Sequence, residues 1–75
     1  NKSVGARAIT EYLKMPRENI YTFGDGTNDY DIFCFAGHAI AMEKHNVILD
    51  GVCEYVTSSV KNEGIFNGLE HYGLI

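Results

Sequence analysis

Tyr21-Thr22-Phe23-Gly24-Asp25-Gly26-Thr27-Asn28-Asp29 is the stretch whose reading decides the fold. The apolar run from Ile20 to Phe23 stops abruptly at a polar loop that holds two glycines and two carboxylates. Aromatic and β-branched residues fit a pleated, buried surface, so the run reads as a short strand. Gly24 and Gly26 are predicted to turn the chain sharply through backbone angles that other residues resist. Asn28 is predicted to cap a helix starting near Asp29. Strand, tight acidic loop and helix, in that order, put a candidate ligand site at the carboxyl end of a strand, where open α/β sheets bind their ligands.

On the amino-terminal side, Lys2 to Lys14 carries Val4, Ala8, Ile9, Tyr12 and Leu13 at helical spacing, with Arg7, Glu11 and Lys14 mostly off that stripe. Met15-Pro16 ends this predicted helix, because the residue before proline avoids helical angles. Pro16 to Asn19 reads as a turn. On the carboxyl-terminal side, Asp29 to Ala36 reads as a short, largely buried helix stopped at Gly37. His38 to Met42 reads as a second strand, too continuously apolar for a surface element. Glu43 to Leu49 is weakly helical and closed by Asp50-Gly51. Cys53 to Val56 reads as a third strand, Thr57 to Ser59 as a polar loop, and Asn62 to Tyr72 as a final helix. That helix is expected to turn Ile65, Phe66, Leu69 and Tyr72 inward and Asn67, Glu70 and His71 outward. Helices alternating with strands imply an α/β fold of short parallel strands, better described as half of a doubly wound domain than as a complete one.

Composition narrows the partners. At 75 residues the chain is one small domain or a piece of one, and it opens on Asn1 rather than Met. A chain of this size buries roughly 60% of its unfolded surface, so its stability is expected to be marginal. The formal charge is −4 with no basic cluster, which argues against nucleic acid or an anionic membrane as partner. No apolar run approaches the roughly 18 residues that span a bilayer, and no signal peptide is visible. Cys34 and Cys53 lack metal-ligand spacing and read as buried thiols in a reducing, cytoplasmic compartment. His38, His45 and His71 show no metal-ligand spacing either.

The loop itself suggests a chemistry. A carboxylate at the strand end, Asp25, suits Mg²⁺, which takes hard oxygen ligands and keeps waters and a substrate phosphate. Gly26 allows close backbone approach to an anion, and the Asn28 amide can donate to one. Asp29 is placed to orient a neighbour or a metal-bound water. A cation ligand beside an anion site is what phosphoryl transfer requires. Two rival motifs fail on spacing. An EF-hand starting at Asp25 needs glycine where Tyr30 stands and glutamate where Ala36 stands. A P-loop needs a Gly-Lys-Ser/Thr triplet, which is absent.

These residues form a collinear set: Lys2, Gly-Asp-Gly-Thr-Asn-Asp at 24–29, Ala36-Gly37, Ala39-Ile40-Ala41-Met42, Glu54-Tyr55-Val56-Thr57 and Asn62-Glu63-Gly64-Ile65. The set resembles the C-terminal part of the core domain of the haloacid dehalogenase superfamily, specifically the Cof-type sugar-phosphate phosphatases. The resemblance covers residues 1–75 and implies a partial Rossmann-like fold. It implies that Asp25 ligates Mg²⁺, that Asn28 contacts the substrate phosphate and that Lys2 holds nucleophile and phosphate together. Asp29 matches the motif's second acidic position, assigned with Asp25 to the metal. The substrate would be a small phosphorylated metabolite. Glu43-Lys44-His45 departs from the family's usual Gly-Asn-Ala. The family's attacking aspartate, in Asp-x-Asp-Gly-Thr, has no counterpart here, because Phe23 stands two residues before Asp25. The isolated chain is therefore expected to be inactive, with an exposed sheet edge that also offers a surface for self-association. Two alternatives stay open: a non-catalytic interaction module that keeps the fold, and part of a cation-pumping ATPase phosphorylation domain.

Overall fold

The computed structural model describes residues 15–75. The predicted helix over 2–14, and Lys2 with it, lies outside the described residues.

Three strands form one parallel sheet in the order β1-β2-β3: β1 Tyr21–Gly24, β2 His38–Ala41 and β3 Tyr55–Val56. Tyr21 pairs with His38 and Gly24 with Ala41, while Ile40 pairs with Tyr55. Among the described residues two α-helices flank them, α1 Tyr30–Phe35 and α2 Gly64–His71. Short 3-10 turns at Arg17–Asn19, Thr27–Asp29, Val47–Leu49 and Val60–Asn62 make the remaining connections. Among the described residues no helix is long and apolar enough to cross a membrane.

Side chains alternate across a strand, and β2 shows both faces at work. Ala39 and Ala41 join Phe33 and Leu49 in a buried cluster, with Ile32, Val52 and Cys53 packed against it. The fully buried Ile40 points the other way, level with Phe23 of β1. The Phe23 ring meets α2 at Gly68. Among the described residues one helix thus lies on each face, and small alanines in β2 let α1 and the 47–49 turn come close.

The face that α2 turns inward differs from the expectation. Its buried residues are Gly64 and Gly68, one turn apart, whereas Ile65 and Phe66 are each 51% exposed. A Cβ on Gly68 would lie 2.6 Å from the Phe23 ring, and one on Gly64 would lie 1.9 Å from the Ser58 carbonyl oxygen. The helix backbone itself rests on the sheet and the preceding loop, so the apolar side chains beside the glycines are carried off the contact. The helix also starts later than predicted. Glu63, in the left-handed conformation (φ 60°, ψ 42°), separates it from the 60–62 turn.

Other departures are local. The 43–49 segment is a single 3-10 turn capped by Asn46, whose Oδ1 accepts from the Ile48 amide at 3.0 Å. The third strand is shorter than Cys53–Val56 because the Val52 and Cys53 amides bond back to the Leu49 carbonyl. Cys34 is exposed and Cys53 half-buried, which corrects the reading of two buried thiols. Gly37 ends α1 for reasons of space. A Cβ there would lie 2.3 Å from the Arg17 carbonyl oxygen, which accepts the Gly37 amide at 3.0 Å. Arg17 caps α1 from a distance in sequence: its guanidinium donates to the Cys34 and Phe35 carbonyls and sits 5.2 Å from the Phe35 ring centroid. A cation at a helix C-terminus satisfies orphan carbonyls and complements the dipole.

The amino ends of the strands are closed by aromatic and charged side chains. Tyr21 stacks on His38 with ring centroids 4.4 Å apart, and Tyr55 stacks on His71 at 3.8 Å. Tyr72 lies edge-on to Tyr21 and Tyr55. Its hydroxyl donates to Glu54 Oε1 at 2.6 Å, and the same oxygen is 2.6 Å from His38 Nδ1. The Tyr72 hydroxyl and then the His38 ring hold the Glu54 carboxyl below the usual carboxylate range. Burial, followed by the bond to Glu54, pushes the Tyr72 phenol well up.

Candidate functional site

At the opposite, carboxyl end of the sheet, β1 runs directly into Asp25. The loop is built around Asp29, only 4% exposed. Asp29 Oδ2 accepts the backbone N–H of Asp25 at 3.0 Å and of Gly26 at 3.1 Å. The Asp29 amide donates to the Gly26 carbonyl at 3.0 Å. A carboxylate accepting two main-chain donors is a strong, charge-assisted arrangement.

Gly24 serves this packing, and Gly26 meets only the exposed Asn28 side chain. A Cβ on Gly24 would lie 2.6 Å from the Asp29 carboxyl carbon, and one on Gly26 would lie 3.0 Å from Asn28 Oδ1. Neither has a positive φ: the one glycine with positive φ among the described residues is Gly73, and Gly26 is extended at φ −122°, ψ 173°. The requirement is room for a neighbouring side chain, which replaces the expectation of unusual backbone angles. Asn28 does not cap a helix. It lies within the Thr27–Asp29 turn, and its amide side chain is exposed.

The segment that follows the neighbouring strand supplies the other half of the support. The Met42 amide donates to the Gly24 carbonyl at 3.0 Å, and the Asn46 amide donates to the Asp25 carbonyl at 2.8 Å. The Asp25 main chain is therefore held at its N–H by Asp29 and at its C=O by Asn46, while its side chain is exposed. Beyond β3, buried Thr57 donates to the Gly64 carbonyl at 2.7 Å, and Asn67 donates to Ser58 Oγ at 2.7 Å and the Asn62 carbonyl at 3.0 Å. These bonds fix the third loop at the same end of the sheet.

The structure thus places Asp25, Asn28 and Asp29 on one loop, with Asp25 and Asn28 outward and Asp29 inward. Lys2 lies outside the described residues. Sequence reading missed Asn46. A signal was there, since asparagine immediately before the apolar run Val47-Ile48-Leu49 is a cap pattern. Among the described residues no three His, Cys, Asp or Glu side chains gather as a metal cage.

Comparison with known proteins agrees with the fold. A family profile described as haloacid dehalogenase-like hydrolase matches residues 1–69. The 5-amino-6-(5-phospho-D-ribitylamino)uracil phosphatase YitU of Bacillus subtilis is 33% identical over 72 residues, covering 96% of this chain and 27% of that protein. The phosphatase BT1666 of Bacteroides thetaiotaomicron superposes with a TM-score of 0.93 at 31% identity, over 100% of this chain and 28% of its own. The subclass IIB sugar phosphatase BT4131 superposes with a TM-score of 0.92 at 28% identity, over 100% of this chain and 29% of its own. The chain thus spans less than a third of each of these phosphatases.

Proposed function

The chain belongs to the haloacid dehalogenase-like hydrolases, and from that premise we propose that it supplies the metal- and phosphate-binding side of a phosphatase site for small phosphate monoesters such as sugar phosphates. The observation that carries the reading is Asp25: its main chain is fixed from both sides while its carboxylate is exposed at the end of a strand.

The donor chemistry of the loop fits Mg²⁺. Carboxylate and amide oxygens are hard ligands, and Mg²⁺ binds through one or two carboxylates while keeping waters and substrate oxygens. Asp25 would hold it, and once bound the ion would offset charge on the phosphoryl oxygens. Asp29, the second acidic position, bears on that site through the loop it holds. Asn28 donates its amide N–H to a phosphate oxygen. Lys2 supplies a positive charge shared between phosphate and nucleophile. The attacking carboxylate comes from residues beyond these 75, since no Asp-x-Asp-Gly-Thr occurs among them. The phosphatase names among the relatives favour this reading over an interaction module or an ATPase domain.

The test is phosphate release from a panel of sugar phosphates by a protein joining this segment to an aspartate-bearing upstream half. Release should require Mg²⁺, and Asp25→Asn should lower it about a hundredfold or more, as loss of a key transition-state electrostatic contact does. The isolated chain should release none. Undiminished activity in Asp25→Asn would overturn the assignment.

A further inference from the structure

His45 stands in the loop between β2 and the 47–49 turn, and its ring makes two short contacts. Nδ1 is 2.6 Å from the Met42 carbonyl oxygen, and Nε2 is 2.6 Å from Asp50 Oδ1. A carbonyl and an ionised carboxylate only accept hydrogen bonds, so both ring nitrogens must donate. Neutral imidazole carries one N–H; imidazolium carries two. The ring is well shielded, its side chain 12% exposed against 64% for Asp50. The next residue is Asn46, whose amide reaches the Asp25 carbonyl and whose Oδ1 caps the 47–49 turn.

We propose that His45, as imidazolium, is a positioning residue that ties the start of this loop at Met42 to its end at Asp50 and so presses the Asn46 amide onto the Asp25 carbonyl. The clamp stands on geometry; its bearing on catalysis rests on the phosphatase reading. Its link to the acidic loop runs through the main chain of Asn46. The charged side chains on the elements around it are Asp50 from the following turn, Glu43 and Lys44 from its own loop, and Asp25 and Asp29 from the acidic loop packed on the 47–49 turn. Of these, Asp50 is the one whose carboxylate contacts the ring. The Asp50 bond first, then the Met42 carbonyl, raise the ring's affinity for its proton. A raised histidine value means that the clamp is complete below the ordinary histidine range and is lost as pH rises through the folded value.

The experiment follows the labelled 75-residue chain by NMR, reading the His45 ring nitrogens and the hydrogen-exchange protection of the Asn46 amide, corrected for the intrinsic pH dependence of exchange. Protection at Asn46 should fall about tenfold as the ring loses its second proton, the scale of one charge-assisted hydrogen bond. His45→Gln should show the low value at every pH, and Asp50→Asn should move the midpoint down. Protection that ignores ring titration, or a His45→Gln chain indistinguishable from the parent, overturns the inference. A clamp that titrates as described, in a segment that releases no phosphate even when joined to the aspartate-bearing upstream half, upholds it and overturns the functional reading instead.

Discussion

The two ends of the sheet solve the same problem in opposite ways. At the amino end, side chains satisfy one another: Tyr72 and His38 share Glu54, and stacked rings cover the strand starts. At the carboxyl end, the main chain is what is satisfied, by a side chain and by the main chain of a neighbouring loop. Asp29 takes the Asp25 and Gly26 amides, and the Asn46 main chain takes the Asp25 carbonyl. The first arrangement uses up polar groups in holding the fold. The second immobilises the backbone and leaves the Asp25 and Asn28 side chains outward. A ligand site needs that division, because a group already bonded within the protein has less to offer a ligand, whereas one on an unfixed backbone loses entropy on binding.

The sharpest test sets two neighbouring aspartates against each other. Asp29→Ala strips two backbone donors of their acceptor in a nearly closed site. It should cost about 3 kcal/mol, since each unsatisfied buried group is worth roughly 1–3 kcal/mol. Asp25→Ala removes an exposed carboxylate and should change stability by no more than about 0.5 kcal/mol. Urea denaturation of the two variants measures both. Equal losses would erase the distinction between a residue that builds the loop and one that the loop presents.

At the amino end the expected effects are smaller and depend on pH. Tyr72→Phe removes one hydrogen bond to a charged acceptor at a partly open site and should cost about 1 kcal/mol near neutrality. The signs of the two shifts differ. Glu54 is depressed in the folded chain, so its contribution is full above the ordinary carboxylate range and fades as pH falls through the folded value. Tyr72 is raised, so its contribution is full below the ordinary tyrosine value and fades in alkali. The contribution of this end of the sheet should therefore be flat in between, and Tyr72→Phe should lessen the alkaline decline. A Tyr72→Phe chain with the parent's alkaline profile would show that this end of the sheet is held by stacking alone.

What was legible in the sequence was what is local. The run into Gly24, the apolar Ala39-Ile40-Ala41-Met42 and the alternation of elements all follow from neighbours along the chain, and the parallel sheet matches. What was not legible depends on close approaches between distant residues. Gly24 is small for Asp29, Gly37 for the Arg17 main chain, and Gly68 for the Phe23 ring. Counting apolar side chains at helical spacing pointed to Ile65 and Phe66 as the buried face of α2. A face made of glycines carries no apolar side chain to count. Arg17 likewise read as a turn residue, because its partners at Cys34 and Phe35 lie across a strand and a helix. At the candidate site, the loop and its exposed carboxylate were readable, but the support from Asn46 came from the loop after the next strand.

The smallest expected effect concerns the loop after β3, at the same end as the acidic loop. Glu63 has the one positive φ among the described residues other than glycine. The twist there lets the Gly64 amide turn back to the Ser59 carbonyl at 2.8 Å while the Glu63 carbonyl starts α2 by accepting from Asn67 at 2.9 Å. A side chain in that conformation costs roughly 1–2 kcal/mol relative to glycine. Glycine in turn loses about 0.5–1 kcal/mol more backbone entropy on folding. The difference predicts that Glu63→Gly stabilises the chain by about 0.5 kcal/mol, read as a small rise in the urea midpoint at unchanged slope. Such a gain would show strain stored at the carboxyl end, where functional sites tend to keep it. A loss would mean that the Glu63 side chain has a contact worth more than the strain, and the loop after β3 would then be held by that side chain as well.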